Sequence, residues 1–199
     1  MKMYSDLAPT QARVLLASNS PRRRELLRMI VPEYDMAVMH DVDESYPADL
    51  ADVDVAPYLS RLKADAYRAQ LVENEVMITA DTVVISDGRI LGKPADEKQA
   101  VEMLRSLMGH THKVVTGVTL TSTHVSETFS ETTEVIFGNI SDREIELYVS
   151  NFRPLDKAGA YGIQEWIGCV AIQGIRGCFY NVMGIPLHTL YRRLRDFKV

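Results

Sequence analysis

The sequence predicts an α/β fold built on a mixed, twisted sheet flanked by helices. Stretches rich in β-branched residues alternate with stretches of helical spacing, and Asp87-Gly88 marks a tight turn between two of them. A hairpin of that kind makes part of the sheet antiparallel, which excludes a purely parallel architecture. The third observation is size: 199 residues, 46% hydrophobic and 25% charged, are enough to bury an ordinary core.

Residues 1–11 read as a loose extension, and residues 12–199 as one domain. Arg13–Ala17 has the length and apolarity of a buried strand, and Ser18-Asn19-Ser20-Pro21 then supplies helix-starting residues, with Pro at the first helical position. Leu26, Leu27 and Ile30 form the apolar side of that helix, and residues 34–39 give a second strand leading into the acidic loop HDVDES. Val55, Leu59, Leu62, Ala66 and Ala69 draw one helical stripe, with Lys63 beside it. Residues 77–86 form a strand, the turn follows, and residues 89–91 return antiparallel. Asp96 and Gln99 have capping-box spacing before Val101, Leu104 and Met108; residues 111–122 and 132–137 read as strands. Ser141 and Glu144 repeat the capping spacing before Ile145, Tyr148 and Val149. Val170-Ala171-Ile172 reads as a final strand, and Leu187, Leu190, Leu194 and Phe197 as a C-terminal helix.

Composition removes several function classes. A formal charge of −5 has the wrong sign for coating a nucleic-acid backbone, and no apolar run approaches the roughly 18 residues of a membrane helix. Cys169 and Cys178, with eight residues between them and no CxxC pair, argue against a disulfide framework and a structural zinc site, and a reducing cytoplasm is the expected compartment.

Three segments carry chemistry. Ser18-Asn19-Ser20-Pro21-Arg22-Arg23 joins a strand to a helix, where unpaired backbone N–H groups, two hydroxyls and two guanidinium groups make a phosphate cradle; an ordinary N-cap followed by solvated arginines fits the same spacing. Asp81 stands in the apolar strand MITADTVVIS, and a buried carboxylate there requires a cation or several hydrogen bonds. Asp41, Asp43 and Glu44 in the acidic loop, with Lys63 and Lys93, offer hard oxygen ligands for Mg²⁺ or Mn²⁺ and charge for phosphate; taken singly they read as solvated surface. The segment Gly88–Lys93 fails as a Walker loop because Pro94 stands where Ser or Thr should hold magnesium. His110 and His112 lack a third ligand and read as structural, no GxSxG elbow is present, and Trp166 fits either a core or a base-stacking role.

Taken together, ASNSPRRRELL, VDE, RLKADA, ITADTVV, LGKP, GHTHKVVTGV, PLDKAGAYGIQ and NVMGIPL, in this order from about Arg13 to Leu194, resemble the Maf family of nucleotide pyrophosphatases. The resemblance implies a single catalytic domain similar to inosine triphosphatases, two lobes about a central cleft, and hydrolysis of a nucleoside triphosphate to the monophosphate and pyrophosphate. It implies that Ser18, Ser20, Arg22 and Arg23 bind substrate, that Glu44 and Asp81 serve a divalent cation (Mg²⁺ or Mn²⁺) and water, and that Lys63 and Lys93 neutralise the triphosphate. Asp81 matches the family's proton acceptor. Thr82, Asp156, Lys157 and Gln164 complete the substrate set; Arg153, near Asp156 and Lys157, reads as either a structural ion pair or part of the phosphate site, and the structural reading is preferred as the commoner event. Arg22, Thr82 and Gln164 match the subgroup acting on dTTP and UTP: a glutamine amide offers one donor and one acceptor, which suits uracil or thymine, whereas a carboxylate suits guanine. Glu165 and Trp166 depart from the small residue expected after Gln164 and bear on the base pocket. A cytoplasmic homodimer that binds neither nucleic acid nor membrane completes the expectation. The alternative is a division regulator that senses a nucleotide without cleaving it.

Overall fold

A computed structural model of the chain describes residues 7–199. The elements are β1 (Arg13–Ala17), α1 (Pro21–Arg28), β2 (Asp35–Met36), α2 (Asp52–Tyr67), β3 (Glu75–Ser86), β4 (Arg89–Leu91), α3 (Glu97–Leu107), β5 (Thr111–Thr121), β6 (Ser126–Phe137), α4 (Asp142–Phe152), α5 (Trp166–Val170), β7 (Ile172–Arg176), α6 (Phe179–Met183) and α7 (Leu187–Asp196). The sheet runs β2-β1-β3-β5-β6-β7, with β4 paired to β3. It is mixed, as expected: β1 is parallel to β2 and β3, while β4 on β3 and β7 on β6 are antiparallel. Of the expected extension, residues 1–6 lie outside the described residues, and residues 7–11 form no strand.

The chain divides into two compact units. The first holds residues up to Asp81, Thr116–Glu131 and Gly184–Val199; the second holds Thr82–Val115 and Thr132–Met183. In the first, Leu15, Ala17, Ala37, Tyr67, Leu71 and Met77 form a buried cluster. Helix α2 lies against β5 because Gly117 has no side chain: a Cβ there would stand 2.2 Å from the Pro57 nitrogen. Pro57 carries no N–H, so the close approach strands no donor. Ser60, one turn on, shares a 2.9 Å hydrogen bond with Thr119, and its carbonyl accepts the Thr79 hydroxyl at 2.7 Å. These hydroxyls fasten the helix to the sheet just before Lys63. Leu187, Leu190 and Leu194 of α7 are buried as the spacing predicts, and Phe197 is the C-cap.

In the second unit, α3 packs on α4 over a core including Leu104, Leu107, Phe137, Ile145, Tyr148 and Ile167. Helix α4 has the full Ser141/Glu144 capping box. At α3, Asp96 accepts the Gln99 N–H, but the Gln99 side chain turns back to the Ala95 N–H at 2.6 Å instead of closing a box on Asp96.

Several local expectations need correction. Strand β2 has only two residues, because the backbone of Val38 is bonded by the side-chain amide of Gln70, whose oxygen accepts its N–H at 2.9 Å and whose nitrogen donates to its carbonyl at 3.1 Å. On α2, Ala66 is exposed, and Ala69 lies beyond the helix and is also exposed; the buried face includes Ala56, Ser60, Ala64 and Tyr67, the side drawn inward by the Pro57–Gly117 contact. Strand β6 begins at Ser126, six residues earlier than Thr132, since Phe129 continues the inward alternation of Thr133, Val135 and Phe137 through an otherwise polar stretch. Val170 ends α5 and Ala171 caps it, its N–H returning to the Ile167 carbonyl at 2.9 Å, so the last strand starts at Ile172. A short apolar run reads alike in a strand and a buried helical turn.

Candidate active site

In the first unit, β1 delivers the chain to α1 through Ser18-Asn19-Ser20. Ser20 is the N-cap, its hydroxyl oxygen accepting the Arg23 N–H at 3.4 Å, and the buried Ser18 hydroxyl accepts the Ser20 N–H at 3.2 Å. The capping reading of this segment is met: the serines cap the helix, and the cap sets Arg22 and Arg23 in its first turn. Arg23 donates from Nη1 to the Ala80 carbonyl at 2.7 Å and from Nε to the Gly184 carbonyl at 3.0 Å. Its guanidinium is thus bound to the residue preceding Asp81. Burial lowers its pKa from the ordinary arginine value and Arg22 adds to that, while Asp81 and Glu44 oppose it. An arginine nevertheless stays charged in a protein.

Asp81 ends the first unit's part of β3. The cation it requires is Lys63, whose Nζ donates to Asp81 Oδ1 at 2.6 Å and stands 2.9 Å from Glu44 Oε2. Lys63 and Asp81 each keep 15% of their side-chain surface in contact with solvent, against 51% for Glu44. One ammonium therefore joins a sheltered carboxylate to an accessible one. Asp41 and Asp43, the other acids of the loop, are exposed, and Asp43 closes a local turn by accepting the Ser45 N–H at 3.0 Å.

Two residues absent from the sequence-based set organise that loop. Tyr67 donates to the His40 carbonyl at 2.8 Å and meets the His40 ring edge-on, while Gln70 bonds Val38. Burial raises the Tyr67 pKa, with Lys63 opposing and Glu44 and Asp41 reinforcing. Tyr67 lies four residues beyond Lys63, one turn along the same helix face, and that spacing was the available signal.

The second unit gathers the remaining candidates. Thr82 follows Asp81 on β3 and is half-buried. The segment bearing Lys93 is joined to the one bearing Asp156 and Lys157 by the Gly159 N–H, which donates to the Gly92 carbonyl at 3.1 Å; Lys93 itself is exposed. Lys157 is only 9% exposed, with its Nζ 2.7 Å from Asp156 and 3.1 Å from Glu165. Gln164 is exposed on a turn closed by the Glu165 N–H donating to the Gly162 carbonyl at 3.0 Å. Arg153 differs from expectation: its left-handed backbone at φ 44° turns the side chain outward, where it is 71% exposed and stands 3.4 Å from Glu97. His112 is structural, as read; its Nε2 shares a 2.8 Å hydrogen bond with the Tyr161 hydroxyl, and burial lowers its pKa to about 4. His110 is exposed, and Trp166 is a partly exposed residue at the start of α5. Cys169 and Cys178 are both free thiols.

Among the described residues, no group of three or more His, Cys, Asp or Glu side chains is placed to hold a metal ion, and no helix is long and apolar enough to cross a membrane. Glu44 and Asp81 still fit a hard divalent cation, because such ions commonly take one or two carboxylates and complete their shell with water and substrate phosphate.

Comparisons with known proteins show the family and the fold. The family model described as Maf-like protein matches residues 13–197. A Bacteroides thetaiotaomicron protein called dTTP/UTP pyrophosphatase is 51% identical over 92% of this chain and 94% of its own length. A Porphyromonas gingivalis protein of the same name is 50% identical over 93% of this chain and 94% of its own. Among solved structures, the Staphylococcus aureus Ham1 protein aligns over 94% of this chain and all of its own, with a TM-score of 0.53 and 17% identity, a likeness of fold that bears out the expected class.

Proposed function

This chain belongs to the Maf-like protein family, and we propose that it hydrolyses dTTP and UTP to the nucleoside monophosphate and pyrophosphate. The observation that carries the reading is the Glu44–Lys63–Asp81 triplet, with Arg23 bound to the carbonyl just before Asp81. Cleavage at the α-phosphorus needs a carboxylate to orient and deprotonate water, and cations already in place for the charge that develops on the leaving pyrophosphate. Asp81 is the proton acceptor, and its 2.6 Å pairing with Lys63 holds it aimed. Lys63, Arg22 and Arg23 carry the charge that meets the triphosphate, with Ser18, Ser20 and the α1 N-terminus shaping the phosphate end. A divalent cation held by Glu44 and Asp81 would screen the triphosphate charge. Glu44 and Asp81 would be the residues holding such an ion, and the Lys63 ammonium beside them carries charge for phosphate oxygens.

Thr82, Asp156, Lys157 and Gln164 form the base and sugar end. The Gln164 amide pairs a donor and an acceptor with the carbonyl and ring NH of a pyrimidine, and the names of the half-identical relatives support that choice. The proposal extends to a cytoplasmic homodimer, for which the two free cysteines favour a reducing compartment and light scattering after gel filtration checks the assembly.

The test is incubation with UTP, dTTP, CTP and GTP plus Mg²⁺ or Mn²⁺, with the products identified. UMP or dTMP with pyrophosphate is the expected outcome. Orthophosphate with a nucleoside diphosphate would place the cut at the wrong bond, and no cleavage of any of the four would end the reading.

A further inference from the structure

We infer that Tyr148 and Glu165 are positioning residues for base selection, holding the turn that presents Gln164. The inference deepens the proposed function and rests on it for the role of Gln164. Tyr148 comes from the buried face of α4. Its hydroxyl donates to Glu165 Oε2 and accepts the Gly162 N–H at 3.1 Å. The other carboxylate oxygen of Glu165 stands 3.1 Å from Lys157 Nζ. The turn Gly162–Glu165, already closed by its backbone hydrogen bond, is thus closed a second time through side chains, with Gln164 at its corner and Ile163 buried beneath. Gly162 is required for this: a Cβ there would stand 2.7 Å from the Glu165 carboxyl carbon.

Two consequences bear on selectivity. An uncharged base is read through hydrogen bonds, and such a reading group must be held to within about 0.5 Å by the residues around it. The turn supplies that hold through groups anchored in the core. In addition, both oxygens of Glu165 are engaged, by Tyr148 and by Lys157, so the carboxylate beside Gln164 is withheld from the base. A carboxylate open to the base would favour the paired donors of guanine. Lys157 acts in the same network: with its ammonium between Asp156 and Glu165, it shapes the turn and balances its charge.

The experiment uses the full chain and two variants, Tyr148→Phe and Glu165→Gln, assayed with UTP and GTP and by amide hydrogen exchange. Affinities for the two nucleotides are also measured with Asp81→Asn added, so that discrimination is read even if nothing is cleaved. Tyr148→Phe is expected to raise the KM for UTP about tenfold, to leave kcat within about twofold, and to lower the preference for UTP over GTP about tenfold, the scale of one lost hydrogen bond to a charged group. The Gly162 amide should exchange at least about tenfold faster while the α3 amides keep their protection. Glu165→Gln keeps a Tyr148 partner but loses the charge pair, and a change in preference of at least about threefold is expected; it carries the test alone should Tyr148→Phe fail to fold. Unchanged preference in a folded variant would overturn the inference, as would an equal loss for both nucleotides residing in kcat. Absence of pyrophosphate release by the unaltered chain would sink the proposed function alone, since nucleotide affinity in the Asp81→Asn background still decides this inference.

Discussion

Each compact unit holds a lysine between two carboxylates, Lys63 in the first and Lys157 in the second, and the units differ in the ionisable groups they keep besides. In the first, Glu44, Lys63, Asp81 and Arg23 are charged and held by each other or by carbonyls, with Glu44 open to solvent. In the second, buried His112, Tyr148 and Tyr161 are kept neutral: burial lowers the His112 pKa to about 4 and raises those of both tyrosines, with Glu165 adding to the effect at Tyr148. Ion pairs that reach solvent can exchange partners when a polyanion arrives, whereas neutral hydrogen bonds inside a core hold a shape. Under the proposed function, that difference corresponds to charge chemistry in the first unit and base recognition in the second.

Breaking the charged side should have the largest effect. Asp81→Asn removes the proton acceptor and is expected to lower kcat by roughly 100- to 10,000-fold with nucleotide still bound; steady-state turnover and binding titration measure it, and near-normal turnover would remove Asp81 from the mechanism. On the neutral side, His112 should make stability depend on acid. Its folded pKa of about 4 lies below the ordinary histidine value of 6.5, so the unfolded chain binds more protons between the two. The stability that comes from keeping His112 neutral is therefore complete above pH 6.5 and is lost as pH falls toward 4, a difference of about 3 kcal/mol. Urea unfolding across that window, for the wild type and His112→Phe, should show the variant with the shallower pH slope; equal slopes would contradict the assignment. Gln164→Glu sharpens the comparison at the reading group: preference for UTP over GTP should fall about tenfold with smaller changes in overall rate. Competition assays that return the wild-type ratio would detach Gln164 from the base. The smallest effect belongs to Arg153→Ala, which should change stability by less than about 0.5 kcal/mol, because its partner Glu97 is also exposed.

Legibility in the sequence followed locality and not the division into units. Asp81 could be singled out because a carboxylate within an apolar strand needs a cation, and Lys63 sat on a helix with its apolar stripe already drawn; the structure joins them. Ser20 and Ser141 declared their helices because capping is a local interaction. What escaped was nonlocal. Tyr67 reaches the His40 carbonyl 27 residues away, and Gln70 bonds the backbone of Val38, which lies in the stretch 34–39 expected to be strand. Tyr148 was legible as core, but not as the bearer of a hydroxyl facing Gly162 and Glu165. The face of α2 was misjudged for a related reason: a proline seated on a glycine overrode the stripe of alanines.

That seat reaches further than the fold. Pro57 and Lys63 are six residues apart on one rigid helix, about 9 Å along its axis. A methyl group added at Gly117 would act as a wedge under the near end of α2 and displace the ammonium at the far end from its two acids. The missing side chain on β5 thus works as a gauge for the Lys63 ion pairs, and a chain altered there would keep those charged groups yet lose their alignment.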